Sequence, residues 1–141
     1  MHPYKLKISL RVSHPSLTAD EICNGINLKA VTKWSVGEGN QDSAGNPMPR
    51  IRKNSYCLFK FNRLHGEEMA EILFAATEML TPDREFLLQV TETGGVVELF
   101  LGCFFHANSG EELDWPLLKA IADLRIRLTF DFYPEGATRT S

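Results

Sequence analysis

The sequence is poor in the features that signal covalent chemistry. It contains only three cysteines, Cys23, Cys57 and Cys103, which lie far apart and form no Cys-x-x-Cys pair. An odd number of separated cysteines argues against both a disulfide framework and a zinc knuckle. Cys57 and Cys103 fall inside apolar runs, where a reduced cysteine packs as a small hydrophobic side chain. We therefore expect a reducing compartment and predict that the protein is cytoplasmic.

Long apolar runs are also missing. No stretch approaches the roughly 18 apolar residues of a membrane span. The N-terminal residues alternate between polar and apolar side chains, without the continuous apolar segment of a signal peptide. The sequence therefore predicts a protein that is neither secreted nor embedded in a membrane.

Several ligand-binding motifs are absent as well. The chain contains neither the GxGxxG nor the GxxxxGK[ST] pattern of phosphate-binding loops, and it lacks the GxSxG pattern of a nucleophilic serine. The formal net charge of -3 argues against a protein built mainly to hold nucleic acid. No cofactor and no metal site are predicted.

The length and apolar content are those of an ordinary globular domain. With 141 residues, of which 43% are hydrophobic, the chain can bury a core without disulfides or metals. We predict a single domain over residues 1–141. A polar, glycine-rich segment predicts a mobile loop at about 37–54, and a frayed tail is expected from about residue 135.

The alternation of polar and apolar residues predicts an α+β fold. Period-two patterns predict strands over 4–12, 30–36, 55–63, 85–92, 96–105 and 125–133. Helical patterns and capping residues predict helices over 18–25, 66–80 and 114–124. The predicted order is β-α-β-β-α-β-β-α-β. Because the strands alternate, we expect two layers, with helices on one face of a mainly antiparallel sheet and solvent on the other.

Two stretches of this sequence resemble a family of small bacterial proteins called domain of unknown function 4279. The first contains residues 17–22 (LTADEI) and the later residues 34–37 (WSVG); the second contains residues 117–124 (LLKAIADL) and residues 127–133 (RLTFDFY). Such proteins often have Trp at the start of the third strand, where this chain has Tyr56. The resemblance implies one compact domain and no particular reaction, cofactor or catalytic residue.

Histidines follow three of the predicted strands. If each helix returns the chain antiparallel to its strand, His14 and His106 lie at one end of the sheet and His65 lies at the other. The same end is expected to hold Glu38, Asp131 and Tyr133. Imidazole and carboxylate groups together can serve acid–base chemistry or a weak metal site. The competing interpretation is that these histidines simply bond to the local backbone.

The solvent-facing side of the sheet is predicted to be basic. Lys5, Lys7 and Arg11 on the first strand and Arg125 and Arg127 on the last would form a stripe if those strands are neighbours. Phe100 is the single aromatic expected there, beside Glu98, and Glu98 and Asp131 are expected to dilute the positive charge. One aromatic is too few for an RNA-binding sheet.

Trp34 stands beside the predicted loop and has two interpretations. It either packs into the core beside the first helix, which the usual burial of tryptophan favours, or it anchors a ligand or partner.

The sequence as a whole favours a non-catalytic interaction module that binds another protein, such as a small immunity or adaptor protein. The basic sheet face suits an acidic partner. The alternative is a small-ligand-binding protein or enzyme that uses the His14/His106 end of the sheet. Whether the protein forms a homodimer stays open, because an edge strand can be covered by a second copy or by other means.

Overall fold

The computed structural model describes residues 4–41, 44–61, 64, 66–105 and 110–134. The predicted frayed tail from residue 135 lies outside these ranges. The elements, in chain order, are β1 (Tyr4–His14), α1 (Ala19–Gly25), β2 (Ala30–Trp34), β3 (Gly39–Gln41), β4 (Pro47–Ile51), β5 (Ser55–Lys60), α2 (Met69–Leu80), a 3-10 turn (Thr81–Asp83), α3 (Arg84–Glu92), β6 (Val96–Phe105), α4 (Trp115–Asp123) and β7 (Ile126–Pro134). The predicted α+β class is confirmed.

Five strands form the main sheet, in the order β2-β5-β1-β6-β7. Strand β1 lies in the middle and runs antiparallel to both β5 and β6. Strand β2 is antiparallel to β5, whereas β7 is parallel to β6. The prediction of a mainly antiparallel sheet is therefore confirmed, and β2 and β7 form its edges.

Strands β3 and β4 form a separate two-stranded antiparallel ribbon. This ribbon lies within the segment predicted as a loop at about 37–54, so that prediction missed two strands. The ribbon is tied to the end of β2 by two backbone hydrogen bonds, from Gly37 N–H to Arg52 C=O and from Arg52 N–H to Glu38 C=O.

The core lies between the sheet and the helices. Alternate residues of the central strands are buried, including Leu10, Phe59 and Leu99, each with no exposed surface. Every helix contributes side chains to the same buried cluster, which includes Ile22, Leu73, Val90 and Ile121. Burial of one such side chain stabilises a fold by roughly 1.5–3 kcal/mol. All four helices thus cover one face of the sheet, as predicted.

Two helices begin where the sequence predicts a cap. The side chain of Thr18 accepts a hydrogen bond from the Glu21 N–H, and the Glu21 carboxylate accepts one from the Thr18 N–H. Asp114 accepts from the Trp115 N–H at the start of α4, and Pro116 occupies the first turn. These bonds satisfy backbone donors that a helix start leaves unpaired.

One predicted element is wrong. Residues 85–92 form helix α3 rather than a strand. Helix α2 ends at Leu80, and Thr81, Pro82 and Asp83 form a 3-10 turn that leads directly into α3. Proline suits this place because it fits the first turn of a helix. Leu87 and Val90 are fully buried, three residues apart, as on one face of a helix.

Gly94 and Gly95 connect α3 to β6, whereas the strands predicted over 85–92 and 96–105 would have needed a turn between two strands. Gly94 has a φ of +101°, a backbone conformation that favours glycine. A side chain on Gly95 would place its Cβ 2.7 Å from the Ser13 carbonyl oxygen and 2.8 Å from the His14 ring. The turn can therefore pack closely against the end of β1.

Candidate functional site: the open face of the sheet

The face of the main sheet opposite the helices is covered by no helix within the described ranges. We call it the open face. Strand register places the following residues on it: Trp34 from β2; Tyr56, Leu58 and Lys60 from β5; Lys7, Ser9, Arg11 and Ser13 from β1; Val96, Glu98, Phe100, Gly102 and Phe104 from β6; and Arg127, Thr129, Asp131 and Tyr133 from β7.

A three-layer stack lies at one end of the open face. Trp34 and Tyr56 are register partners, and their rings stack with centroids 4.7 Å apart. The Arg52 guanidinium, which follows the ribbon, lies 3.8 Å from the centroid of the Trp34 ring. Trp34 is thus half-buried on the open face, so the expectation that it packs into the core beside α1 is wrong. Its neighbour Lys33 is the residue that points toward α1, where it pairs with Asp20 at 2.9 Å.

Two further cation–aromatic contacts continue across the open face. The Arg11 guanidinium lies 3.7 Å from the Phe100 ring centroid. The Lys7 ammonium lies 5.5 Å from the centroid of Phe104, and Phe104 stacks on Tyr133 with centroids 4.8 Å apart. A positive charge over the face of an aromatic ring is attracted by the ring quadrupole. These contacts hold the rings in fixed orientations while part of each remains exposed.

The predicted basic stripe is interrupted. Strand β6 separates β1 from β7, so Glu98 lies between Arg11 and Arg127 in one row across the sheet. The Thr129 hydroxyl donates a 2.6 Å hydrogen bond to the Glu98 carboxylate and helps to hold it there. The open face therefore carries mixed charge with a cationic excess, rather than an unbroken basic surface.

The predicted stripe also included Arg125 and Lys5. Arg125 is not part of β7; it precedes that strand with a φ of +58° and is exposed. The strand position of Lys5 is opposite Phe104.

Two hollows flank Tyr56 on the open face. The larger, of about 410 Å³, is lined by Trp34, Arg52 and other residues of the ribbon end, namely Ile51, Lys53 and Asn54, together with Ser13 and Ser55. The smaller, of about 170 Å³, is lined mainly by Arg11, Ser13, Glu98 and Arg127. Within the described residues, the buried Nε of Arg11 has no hydrogen-bond partner.

The two tyrosines of the open face remain protonated at neutral pH. Burial raises the pKa of Tyr56, with Arg11 acting in the opposite direction. The pKa of Tyr133 is raised chiefly by the hydrogen bond that its hydroxyl donates to the Asp131 carboxylate. Neither hydroxyl is prepared to act as a base or nucleophile.

His14 serves the local backbone. It is only 2% exposed. Its Nδ1 accepts hydrogen bonds from the Ser16 N–H at 3.0 Å and the Leu17 N–H at 2.9 Å. Since Nδ1 accepts, Nε2 carries the proton and donates to the Thr93 hydroxyl at 2.7 Å. Desolvation lowers the pKa of His14, against a smaller opposite effect of Glu21. The interpretation that a histidine here bonds to the backbone is confirmed for His14.

The predicted grouping of His14 with His106 at one end of the sheet falls on residues outside the described ranges, as does the placement of His65. Among the described residues, Phe105 pairs with Tyr4, at the opposite end of β1 from His14. Strand β7 runs parallel to β6, so Tyr133 also lies far from His14, and Asp131 lies nearer that far end.

Of the other residues assigned to that end, Glu38 follows β2, which ends at the same end of the sheet as His14, because its last residue Trp34 pairs with Tyr56 beside Ser13.

The cysteine thiols are free, but two of them approach each other. The sulfur atoms of Cys23 and Cys57 lie 3.8 Å apart. Burial, reinforced by the neighbouring Cys23, raises the pKa of Cys57 to about 12. A thiol that stays protonated is a poor nucleophile, so Cys57 acts as a packing residue.

In the part of the chain that the structure describes, no three His, Cys, Asp or Glu side chains come together in a way that could hold a metal ion. Within the same ranges, no helix combines the length and apolar character needed to cross a bilayer. No protein-family model matches the chain, and no curated protein or solved structure matches it either. The resemblance to domain of unknown function 4279 therefore stays a prediction.

Sequence reasoning missed most of the aromatic side chains on the open face. It expected Phe100 alone, whereas Trp34, Tyr56, Phe104 and Tyr133 lie on the same face. In β6 the sequence does indicate the face of Phe104, because Glu98, Phe100 and Phe104 are separated by even numbers of residues and so point the same way. No sequence pattern predicts the contact of Arg52 with Trp34, since that contact depends on the position of the ribbon.

Proposed function

We propose that this protein is a non-catalytic interaction module that binds another protein through the open face of its sheet. The observation that carries the proposal is the Arg52–Trp34–Tyr56 stack. Tryptophan, tyrosine and arginine are the side chains that contribute most binding energy at protein interfaces. Here all three are half-buried, Trp34 stacks with each of the other two, and all three line a hollow of about 410 Å³ that a partner side chain could enter.

The charges of the open face favour an acidic segment on the partner. The described cations on or beside this face include Lys7, Arg11, Arg52 and Arg127, against the carboxylates Glu98 and Asp131. Complementary charge speeds encounter and disfavours wrong partners more than it adds affinity.

The role of His14 supports the same proposal. Its ring nitrogens are engaged by Ser16, Leu17 and Thr93, which leaves no proton acceptor for catalysis. Our proposal is a small bacterial immunity or adaptor protein of the cytoplasm.

A capture experiment tests the proposal. Tagged wild-type protein and the variants Trp34→Ala and Arg52→Glu are expressed in the native host, and captured proteins are identified. We expect a partner whose affinity falls about 30-fold or more in either variant, as for a hot-spot residue. The control is Lys29→Glu, an equal charge change at an exposed site between α1 and β2, which should keep the partner.

Nuclease treatment distinguishes protein from nucleic acid. The sheet carries more exposed aromatic rings than the sequence predicted, and such rings can stack on bases. Two results would indicate that the open face binds nucleic acid rather than protein. One is capture that disappears after nuclease treatment, and the other is a single-stranded oligonucleotide that binds wild type but not Arg52→Glu. Capture that is equal in all variants would contradict the proposal.

A further inference from the structure

A second surface lies on the helical layer and is independent of the open face. Helices α2 and α4 pack against each other and leave a groove of about 690 Å³ between them. The groove is lined by Ala70, Glu71, Phe74, Ala75, Glu78, Glu112, Asp114, Pro116 and Leu117.

The floor of this groove is apolar and exposed. Phe74 on α2 leaves 51% of its surface in contact with solvent. On α4, the lining residue Pro116 is exposed, and Trp115, its chain neighbour outside the lining, leaves 70% of its surface in contact with solvent. An exposed apolar cluster with a polar rim is typical of an interaction site.

The rim of the groove carries charge of one sign. Its four charged lining residues are all acidic, and none of the described lining residues is a cation. Two of the four also have structural roles, because Glu71 accepts from the Glu67 and Glu68 N–H groups and Asp114 caps α4. The nearby cation Lys119 is paired with Asp123 at 2.9 Å.

The geometry of the α2 wall indicates the shape of the occupant. Glu71, Phe74, Ala75 and Glu78 lie at positions i, i+3, i+4 and i+7, which form one stripe along a helix. Small alanine side chains between larger neighbours leave room for the ridge of a third helix.

We infer that the α2/α4 groove binds a cationic amphipathic helix of a partner protein. The apolar side of that helix covers Phe74 and its neighbours, and its lysines or arginines pair with Glu78, Glu112 and Asp114. Helix-in-groove binding is a common mode of peptide recognition. An anionic membrane surface does not fit an acidic rim.

Tryptophan fluorescence provides a local measurement. The chain has two tryptophans, so Trp34→Phe leaves Trp115 as the only one. The probe is a synthetic peptide of about 14 residues, roughly 20 Å when helical, with one leucine side and one lysine side. We expect saturable binding of the lysine peptide with a blue shift of Trp115 emission. The variants Glu78→Lys and Phe74→Ser should bind the peptide at least about tenfold more weakly than the parent.

Matched controls make the test decisive. Glu85→Lys is an equal charge reversal at an exposed site on α3, and Met79→Ser removes an apolar side chain on α2 outside the groove lining. Both should bind like the parent. A peptide with the same composition in scrambled order, and an amphipathic peptide with glutamate in place of lysine, should bind at least tenfold more weakly.

Three results would overturn the inference. The first is no change in Trp115 emission with the lysine peptide. The second is equal binding of the scrambled or glutamate peptide, which would indicate a non-specific apolar surface. The third is a concentration-dependent dimer, seen by sedimentation, that Phe74→Ser abolishes; the occupant would then be a second copy of this chain.

Discussion

Two surfaces of this molecule expose aromatic side chains, and they do so in different ways. On the open face, Trp34, Phe100 and Phe104 are half-buried and each lies beneath a cation. On the helical layer, Phe74 lines the acidic groove with 51% of its surface exposed. Trp115 is 70% exposed and stands in the chain between the lining residues Asp114 and Pro116.

If the open face binds a partner as proposed, the two faces of one sheet have separate roles in stability and in recognition. The helix-covered face holds the core, so its substitutions should act on folding. The open face is held by its own stacking contacts, so its substitutions should act mainly on binding. The groove adds a second surface of opposite charge, and the two could contact chemically different partners.

The largest expected effect compares two adjacent residues of β6, one on the helix-covered face and one on the open face. Leu99 faces the core with no exposed surface, whereas Phe100 is half-buried on the open face. We expect Leu99→Ala to lower the free energy of unfolding by about 3 kcal/mol, because it leaves a cavity. We expect Phe100→Ala to cost about 1 kcal/mol, since the ring buries less surface. Urea denaturation measures both changes. Equal losses would mean that the open face is part of the core.

A smaller change in the free energy of unfolding, dependent on pH, is expected from His14, which is buried and neutral at the end of β1. Burial lowers its pKa below the ordinary value of 6.5, so the unfolded chain binds the proton more tightly. The stability due to neutral His14 is therefore complete above about pH 6.5 and is lost as pH falls below it. The loss can be no steeper than about 1.4 kcal/mol per pH unit.

The variant His14→Asn isolates this contribution. Its side-chain oxygen can still accept from the Ser16 and Leu17 N–H groups, as in an Asx turn, but it does not titrate. The difference in unfolding free energy between wild type and His14→Asn should be largest at pH 7.5 and should narrow toward pH 5. A constant difference across this range would show that His14 is not held neutral.

Local patterns predicted most of the elements, because their causes are local. The Thr18 capping box, the Asp114 cap and the alternation in β1 and β6 each depend on residues close in sequence. Segment 85–92 was ambiguous, because a short run with four apolar residues in eight fits either a buried helix or a strand. Helix α3 was decided by packing, which buries Leu87 and Val90 under the same layer as α2.

The wrong prediction of a strand at 85–92 also led to a wrong direction for β6, on which the predicted histidine site depended. With a strand at 85–92, the chain would reverse at Gly94 and β6 would run parallel to β1. With a helix there, β6 runs antiparallel to β1, and its last residue Phe105 lies at the far end from His14. The predicted grouping of His14 and His106 depended on strand direction, which no local pattern encodes. The stack of Arg52 on Trp34 depended on the ribbon in the same way.

The smallest expected effect is the coupling energy between a cation and an aromatic ring on the open face. A double-mutant cycle of Arg11→Ala and Phe100→Ala should give a coupling energy of about 0.5–1 kcal/mol in urea denaturation. The matched pair is Lys7 and Phe104, where the cation lies 5.5 Å from the ring centroid rather than 3.7 Å. Its coupling should be smaller, because the charge–quadrupole attraction falls steeply with distance.

The ratio of the two coupling energies tells whether cation–aromatic contacts hold the rings of the open face in place before a partner binds. If Arg11 and Phe100 are coupled and Lys7 and Phe104 much less so, the arginine contact fixes the ring before any partner arrives, which reduces the entropy lost on binding. If neither pair is coupled, the rings are held only by their burial in the sheet. The open face would then resemble an ordinary solvated surface, and the groove between α2 and α4 would become the stronger candidate for the protein's main interaction site.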